Sequence, residues 1–405
     1  MADFFKAEQI SENVFFVGAR DWNVRNFHGY TTGRGTTYNA FLIIDEHVTL
    51  IDTVKAPFVD EMMSRIASVI DPQKIDYIIS NHSEPDHSGA LAEVIKRVNP
   101  SKVVASSMGA KTLKAYYDID TEVVKTGDSI SLGKSVLSFV DTKMLHWPDS
   151  MVCYLDSDKI LFSQDAFGMH LAGSKLWADM YDKSILDYEA RKYFINIINL
   201  QAAKVLDLLK YLPSLNLDIE IIAPDHGPLW REDLAFILNL YKDVAEQKPV
   251  KKALVAYATM WHATEKLANS LADGIRSAGI DVTVADLASN DRSAIMTEVG
   301  RSGLIAFGTP TMNNQMYPAV ADALTYIKGL KPQNKIGFAF GAYGWSGEGA
   351  KNIAAELTAM GIEQPVDLLQ VKYMPNAEEL EKIYNCGVML GTLLAERCNN
   401  NEGEK

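Results

Sequence analysis

The stretch Tyr77-Ile78-Ile79-Ser80-Asn81-His82-Ser83-Glu84-Pro85-Asp86-His87 decides how the first half of the chain is read. Its opening residues form a β-branched apolar run of strand type. Four side chains of metal-ligand type, His82, Glu84, Asp86 and His87, then fall within six positions. A loop leaving a strand end can aim residues spaced by two toward one point, and Pro85 stiffens the backbone between Glu84 and Asp86. That lowers the ordering cost of a preformed site. A plain solvated turn is the competing reading, and so dense a set is not expected from ordinary surface composition.

Three later segments carry further ligand types at strand edges or turns: Leu145-His146-Trp147-Pro148-Asp149-Ser150, Ser163-Gln164-Asp165-Ala166-Phe167-Gly168 and Pro224-Asp225-His226-Gly227-Pro228. Four histidines and three acids (His82, His87, His146, His226, Glu84, Asp86, Asp165) exceed the needs of one zinc ion and suit two adjacent metals sharing a carboxylate. Asp165, the lone acid of its segment, is the expected bridge. His87 either ligates the second metal or stands just off it with water between. Of the other histidines, His47 is expected to be exposed in the Asp45-Glu46-His47 turn. His28, beside Trp22, Phe27 and Tyr30, is either structural or a hydrogen-bond donor behind the metals, and His170 is a weaker version of that case.

Around these loops, Asn13–Val17, Asn39–Ile44, Val48–Asp52, Tyr77–Ser80, Val136–Val140 and Met151–Leu155 read as strands. Pro57–Ile70, Ser88–Val98 and the long stretch Tyr188–Tyr211 read as helices. The polar, proline-containing Glu246–Lys252 is a linker, giving domains 1–249 and 250–405. Beyond it Lys252–Ala258, Asp281–Leu287, Gly303–Gly308, Lys335–Gly341 and Val366–Val371 alternate with helical patterns, which predicts a doubly wound parallel sheet. The polar tail Asn399–Lys405 is expected to fray.

The 405 residues and 47% hydrophobic content allow two or three domains with real cores. Lys plus Arg number 39 against 52 Asp plus Glu, and the net charge of −13 argues against a general grip on nucleic acid. Cys153, Cys386 and Cys398 are too few for a disulfide framework or a cluster site, and a reducing compartment is the simpler expectation. The N-terminus lacks signal-peptide order and no apolar run approaches the ~18 residues of a span, so a soluble cytoplasmic protein with no membrane partner is expected.

In the second half, Thr259-Met260-Trp261-His262-Ala263-Thr264 joins the first strand to a helix opening near Glu265. Backbone N–H groups, threonine hydroxyls and the positive end of the helix suit one phosphate. Neither Gly-x-Gly-x-x-Gly nor a Walker loop occurs there, which weighs against dinucleotides and nucleoside triphosphates. Gly308-Thr309-Pro310-Thr311-Met312-Asn313-Asn314 and Gly341-Ala342-Tyr343-Gly344-Trp345-Ser346-Gly347 lie at the carboxyl ends of the third and fourth strands, where open α/β sheets bind ligands. Their glycines admit a flat ring, their aromatics stack on it and Asn313 and Asn314 offer amides to its edge. Together the three loops look like the FMN site of flavodoxin.

The order and spacing of the metal segments resemble the metallo-β-lactamase fold, an αββα sandwich whose hydrolytic members carry His-x-His-x-Asp-His on the corresponding loop. Here Glu84 stands at the second position, and an added hard anionic ligand favours iron over zinc. Fused to a flavodoxin-like domain, the chain resembles the flavodiiron proteins (A-type flavoproteins), and among them the rubredoxin:oxygen oxidoreductases. The resemblance spans essentially the whole chain, through Trp22, His28-Gly29, Gly35–Ala40, Val124–Gly127, Leu145–Ser150 and Gly341–Gly347.

The resemblance implies one iron on His82, Glu84 and His146, a second on Asp86, His226 and possibly His87, with Asp165 bridging. It implies FMN, reduction of dioxygen to water or nitric oxide to nitrous oxide, and a head-to-tail homodimer or a dimer of dimers. With no Cys-x-x-Cys pair, electrons are expected from an external donor, rubredoxin or a reduced deazaflavin coenzyme. The rival expectation is a binuclear-metal hydrolase of the lactamase or glyoxalase type, with metal-bound hydroxide as nucleophile.

Overall fold

The computed structural model describes residues 4–402. They form two compact units: the residues up to Phe27 with Thr32–Ala245, and His28–Thr31 with the residues from Glu246 onward.

In the first unit a seven-stranded sheet runs in the order Glu8–Gln9, Val14–Phe16, Phe41–Ile43, Val48–Ile51, Ile75–Ser80, Lys102–Ser106, Glu122–Val124. A five-stranded sheet runs Ser129–Ser131, Val136–Asp141, Met151–Leu155, Ile160–Gln164, Ile221–Pro224. Side-chain alternation assigns the faces. Phe41, Ile43, Ile51 and Ile79 enter the core shared with Phe139, Cys153, Leu155 and Phe162. Their neighbours Leu42, Leu50 and Ile78 point the other way, onto Met62, Met63 and Ile66 of helix Val59–Ala67 and Leu91, Val94 and Val98 of helix Leu91–Val98. Each such side chain contributes about 1.5–3 kcal/mol on burial, so a one-residue slip, which would exchange the two faces, is strongly disfavoured. This is the expected αββα sandwich.

The ends of three strands and the start of a fourth meet at one edge of this sandwich. Ile160–Gln164 lies parallel to Ile221–Pro224, and Met151–Leu155 runs antiparallel to Ile160–Gln164, so its start adjoins their ends. The Met151 N–H donates to Asn81 O at 3.1 Å, bringing the end of Ile75–Ser80 to the same place.

The helix expected over Tyr188–Tyr211 is broken. It runs as Lys183–Tyr193, a π-helical turn Phe194–Ile198, a 3-10 turn Asn199–Gln201 and Ala202–Tyr211. Asn196 Nδ2 donates to Lys192 O at 2.9 Å, a local competitor for the helical ladder. The expected fraying at the C-terminus is also corrected: helix Ala377–Glu402 continues through Asn399–Glu402, and 403–405 lie outside the described residues.

In the second unit the parallel sheet has the order Asp281–Asp286, Lys252–Tyr257, Leu304–Met312, Ile336–Tyr343, Leu369–Lys372, the doubly wound flavodoxin arrangement. The third strand runs past the expected Gly308 because Thr311 and Met312 pair back onto Met316 and Gln315. Helix Ala263–Ser277 packs against helix Ala377–Glu402 at glycines: a Cβ on Gly274 would stand 2.0 Å from Tyr384 O, and one on Gly387 2.3 Å from Leu271 O.

Candidate functional site

Glu84 precedes the short helix Pro85–Ser88, with Pro85 in its first turn, where a missing N–H loses no bond. The extended loop expected there is therefore a loop and then a helical turn, and Asp86 and His87 leave from that turn. His146 lies in the loop before strand Met151–Leu155, where the Gln164 side-chain amide donates to Leu145 O. Asp165 follows strand Ile160–Gln164, its N–H donating to Gln164 Oε1 at 2.7 Å. His226 follows strand Ile221–Pro224 in a turn fixed by Asn39 Nδ2, which donates to Pro224 O at 2.6 Å and Gly227 O at 3.0 Å.

These elements bring all seven expected ligands together in two adjoining sets, His82, Glu84, His146, Asp165 and Asp86, His87, His226. Asp165 faces both. Its Oδ2 lies 2.9 Å from His146 Nε2 and 3.4 Å from His82 Nε2, and its Oδ1 lies 3.3 Å from His87 Nε2 and 3.5 Å from His226 Nε2. Glu84 Oε2 meets His146 Nε2 at 3.1 Å and His82 Nε2 at 3.3 Å, while Asp86 Oδ2 meets His226 Nε2 at 3.2 Å and His87 Nε2 at 3.3 Å. His87, which sequence left open, thus points into the second set.

Burial raises the Asp165 carboxyl, but the neighbouring imidazoles of His146, His87 and His82 hold it well below the usual carboxylate range. Burial likewise opposes the charged form of His146, yet Asp165 and Glu84 push it up to about 9. His87 is carried to about 10, against burial, by Asp86 and Asp225. Buried anions that draw protons onto His82, His87 and His146 mark a pocket built for positive charge. Asp86 Oδ1, Asp165 Oδ1 and His87 Nε2 are buried and lack hydrogen-bond partners. The donor set, neutral nitrogens and hard oxygens converging in two groups, fits two divalent or trivalent cations.

Sequence reading gave no separate role to the residues behind these groups. Asp149 Oδ2 accepts from Ser83 N and Ser83 Oγ, both at 2.6 Å, and stands 3.1 Å from His82 Nδ1. Burial raises the Asp149 carboxyl, but His82 and Ser83 bring it to about 2. The Asp52 carboxylate accepts from Asn81 N at 2.7 Å and Asn81 Nδ2 at 2.9 Å, anchoring the start of the ligand loop. His170, the weaker candidate by sequence, is buried with Nδ1 2.8 Å from Thr36 Oγ1 and its ring 4.7 Å from that of His226. His28 is exposed, with φ 54°. His47 is exposed as expected and stacks on Tyr77 at 4.7 Å. The only signal for the supporting groups was an Asp or Thr near a ligand, which is common on any turn.

In the second unit a cavity of about 610 Å³ opens at the carboxyl end of the sheet. Thr259, Met260, Trp261, Ala263 and Thr264 of the first loop line it, as do Thr311, Asn313 and Asn314 of the second and Ala342, Tyr343, Gly344, Trp345 and Ser346 of the third. His262, Met312, Gly341 and Gly347 stand outside the lining. Gly341 serves packing instead, since a Cβ there would meet Thr309 O at 2.3 Å. His262 turns to Glu265 at 2.6 Å.

Pro310 of the second loop, not singled out in sequence, also lines the cavity, and so do Tyr373 and Met374, which were not anticipated. The last two follow the fifth strand, whose carboxyl end is as good a location as the third and fourth. Trp261 and Trp345 are 80% and 90% exposed, faces available for stacking. Thr259 Oγ1 is buried without a partner beside the start of helix Ala263–Ser277, as a phosphate-binding hydroxyl would be. Among the described residues lining the cavity, none is Lys, Arg, Asp or Glu.

A family model described as ODP family beta lactamase matches residues 36–227, and a flavodoxin model matches residues 255–387. The rubredoxin-oxygen oxidoreductase of Megalodesulfovibrio gigas is 43% identical over 384 residues, covering 93% of this chain and 96% of that protein. A nitric oxide reductase of Moorella thermoacetica is 39% identical over 395 residues, covering 96% and 98% respectively. The solved structure of the flavodiiron protein from Giardia intestinalis superposes with a TM-score of 0.94 at 35% identity, covering 98% of this chain and 99% of that one.

Proposed function

The chain belongs to the flavodiiron proteins, and from that premise we propose that it is a di-iron flavoprotein reductase, drawing electrons from an external donor through FMN to reduce dioxygen to water, nitric oxide to nitrous oxide, or both. The observation that carries this reading is Asp165, whose two oxygens face two separate donor sets. In it His82, Glu84 and His146 hold one iron, Asp86, His87 and His226 the other, and Asp165 joins them. Residues 1–249 form the di-iron domain and 250–405 the FMN domain. When bound, two ferrous irons and reduced FMN supply the four electrons dioxygen needs, and two suffice to couple two nitric oxides.

The remaining work is done by the chain. The Asp149 carboxylate and Thr37 O fix the tautomers of His82 and His226, so that each presents Nε2 inward. The side chains of His146 and Glu84 are 18% and 11% exposed, whereas those of Asp86, His87 and Asp165 are at most 4%, so a small gas enters past Glu84 and His146. Threonines and the start of helix Ala263–Ser277 take the FMN phosphate. Trp261, Tyr343 and Trp345 offer faces to the ring, and Asn313 and Asn314 bond its edge.

Rubredoxin is the donor in this reading, a reduced deazaflavin coenzyme being the other choice, and the protein acts in the cytoplasm as a head-to-tail homodimer or a dimer of dimers. No helix among the described residues is long and apolar enough to cross a membrane. Anaerobic stopped-flow tests the function: reduced protein should be reoxidised rapidly by dioxygen, nitric oxide or both, and slow reoxidation by both gases would overturn it. Steady-state turnover with rubredoxin and each gas then ranks the substrates.

A further inference from the structure

The four imidazoles are held differently. Carboxylate oxygens face both ring nitrogens of His82, Glu84 Oε2 at 3.3 Å from Nε2 and Asp149 Oδ2 at 3.1 Å from Nδ1; with Nε2 given to a cation, the remaining hydrogen sits on Nδ1 and is donated to Asp149. His226 Nδ1 donates to the neutral Thr37 O at 2.6 Å. His87 Nδ1 stands 3.6 Å from Asp225 Oδ2, and neither atom has a hydrogen-bond partner. The contacts of His146 with Glu84 and Asp165 run through Nε2.

The two sets are otherwise matched. Each has two imidazoles, one carboxylate of its own and one oxygen of Asp165. What distinguishes them is a carboxylate within hydrogen-bond reach of an imidazole Nδ1: Asp149, 2% exposed and pinned by Ser83 N and Oγ at 2.6 Å with Ser106 Oγ donating to its backbone O at 2.6 Å, serves His82, whereas Asp225 stands off His87 at 3.6 Å. An imidazole bonded through N–H to a carboxylate is drawn toward imidazolate and becomes a more basic ligand, which favours the higher charge of a bound metal. A carbonyl acceptor does this less.

We propose that Asp149 is a positioning residue that makes the His82, Glu84, His146 set the harder one to reduce, so that a half-reduced centre keeps ferric iron there and ferrous iron on Asp86, His87 and His226. This rests on the di-iron reading above. One electron per centre, supplied by dithionite, converts one ferric ion to ferrous, and a second electron converts the other.

The test is a dithionite titration of iron-loaded holoprotein under argon, with electron paramagnetic resonance reporting the half-reduced centre and Mössbauer spectra reporting iron content and valence. Asp149→Asn should bring the two iron potentials together, lowering the comproportionation constant about tenfold, or about 59 mV for a one-electron couple. Ser83→Ala removes a hydroxyl that competes for Asp149 Oδ2 and should act in the opposite sense, raising the yield of the half-reduced centre. Asp45→Asn, which alters a carboxylate that likewise accepts from a serine N–H and hydroxyl (Ser135) but touches none of the seven residues, should leave the yield unchanged. An unchanged spacing in Asp149→Asn, an equal narrowing in Asp45→Asn, or a narrowing in Ser83→Ala would each overturn the proposal. If Asp149→Asn fails to load iron, the sign of the Ser83→Ala effect decides. Failure of the di-iron reading is seen separately, as wild-type protein that does not hold two irons per chain.

Discussion

Asp165 offers its two oxygens in two directions, and its removal should be felt in both sets. Loss of a group merely behind a ligand weakens metal binding about 10–100-fold, and loss of a shared ligand should exceed that. Asp165→Ala is expected to shed iron while keeping FMN, and elemental analysis showing two irons per chain would contradict the assignment. Lys335 is a different buried charge: 3% exposed, its Nζ donates to Ser302 O at 2.7 Å and Gly300 O at 3.3 Å, and burial lowers its pKa to about 8. Unfolded, the amine keeps its proton up to 10.5, so between these values the unfolded chain binds more protons and stability rises with pH. The gain is roughly 3 kcal/mol across that window. Urea unfolding at pH 7.5 and 10 should show a change in stability more favourable by a few kcal/mol in the wild type than in Lys335→Met, the other titrating groups being common to both; equal changes would refute it. The seven candidate ligands were legible because their types are rare at such density. Asp149, Asp52 and Thr36 were not, because a supporting residue differs from an ordinary turn residue only in where the fold puts its side chain.

Strands were legible wherever a period of two kept Ile78 and Ile79 on opposite sides of a sheet, and the five alternating units gave the five parallel strands of the second sheet but not the short antiparallel Gln315–Met316. The break at Phe194–Ile198 was not, since every residue there has an acceptable helical pattern and the competing bond from Asn196 appears only in three dimensions. The glycines of the helix pair Ala263–Ser277 and Ala377–Glu402 show the same limit. In sequence Gly274 looks like a weak point of a helix, where alanine would ordinarily add about 0.5–1 kcal/mol. Its hypothetical Cβ meets main chain at 2.0 Å, so Gly274→Ala should instead destabilise by about 1–3 kcal/mol, lowering Tm by several degrees. Gly329 in helix Pro318–Leu330 has nothing within 4 Å, and Gly329→Ala should raise Tm. Calorimetry of the two variants giving shifts of the same sign would refute the contrast.

At the scale of the whole molecule, the net charge of −13 and a pI near 5.1 first excluded little beyond nucleic acid. Set beside the uncharged lining of the 610 Å³ cavity, they acquire a consequence. FMN brings a phosphate dianion to an acidic protein, and no side-chain cation lining the cavity answers it. In the function proposed above its hold would come from hydroxyls, backbone N–H groups, the helix terminus and stacked rings, which surrounding ions screen little at contact distance, while the repulsion from the distant surface charge is screened over about 8 Å at physiological salt. Apoprotein titrated with FMN should bind as tightly at 500 mM salt as at 20 mM, or more tightly, and a tenfold weakening would show an ionic contact overlooked. Flavin occupancy is thereby uncoupled from the ionic strength of the surroundings, and changes in salt would reach this enzyme through the encounter with its electron donor, leaving the prosthetic group in place.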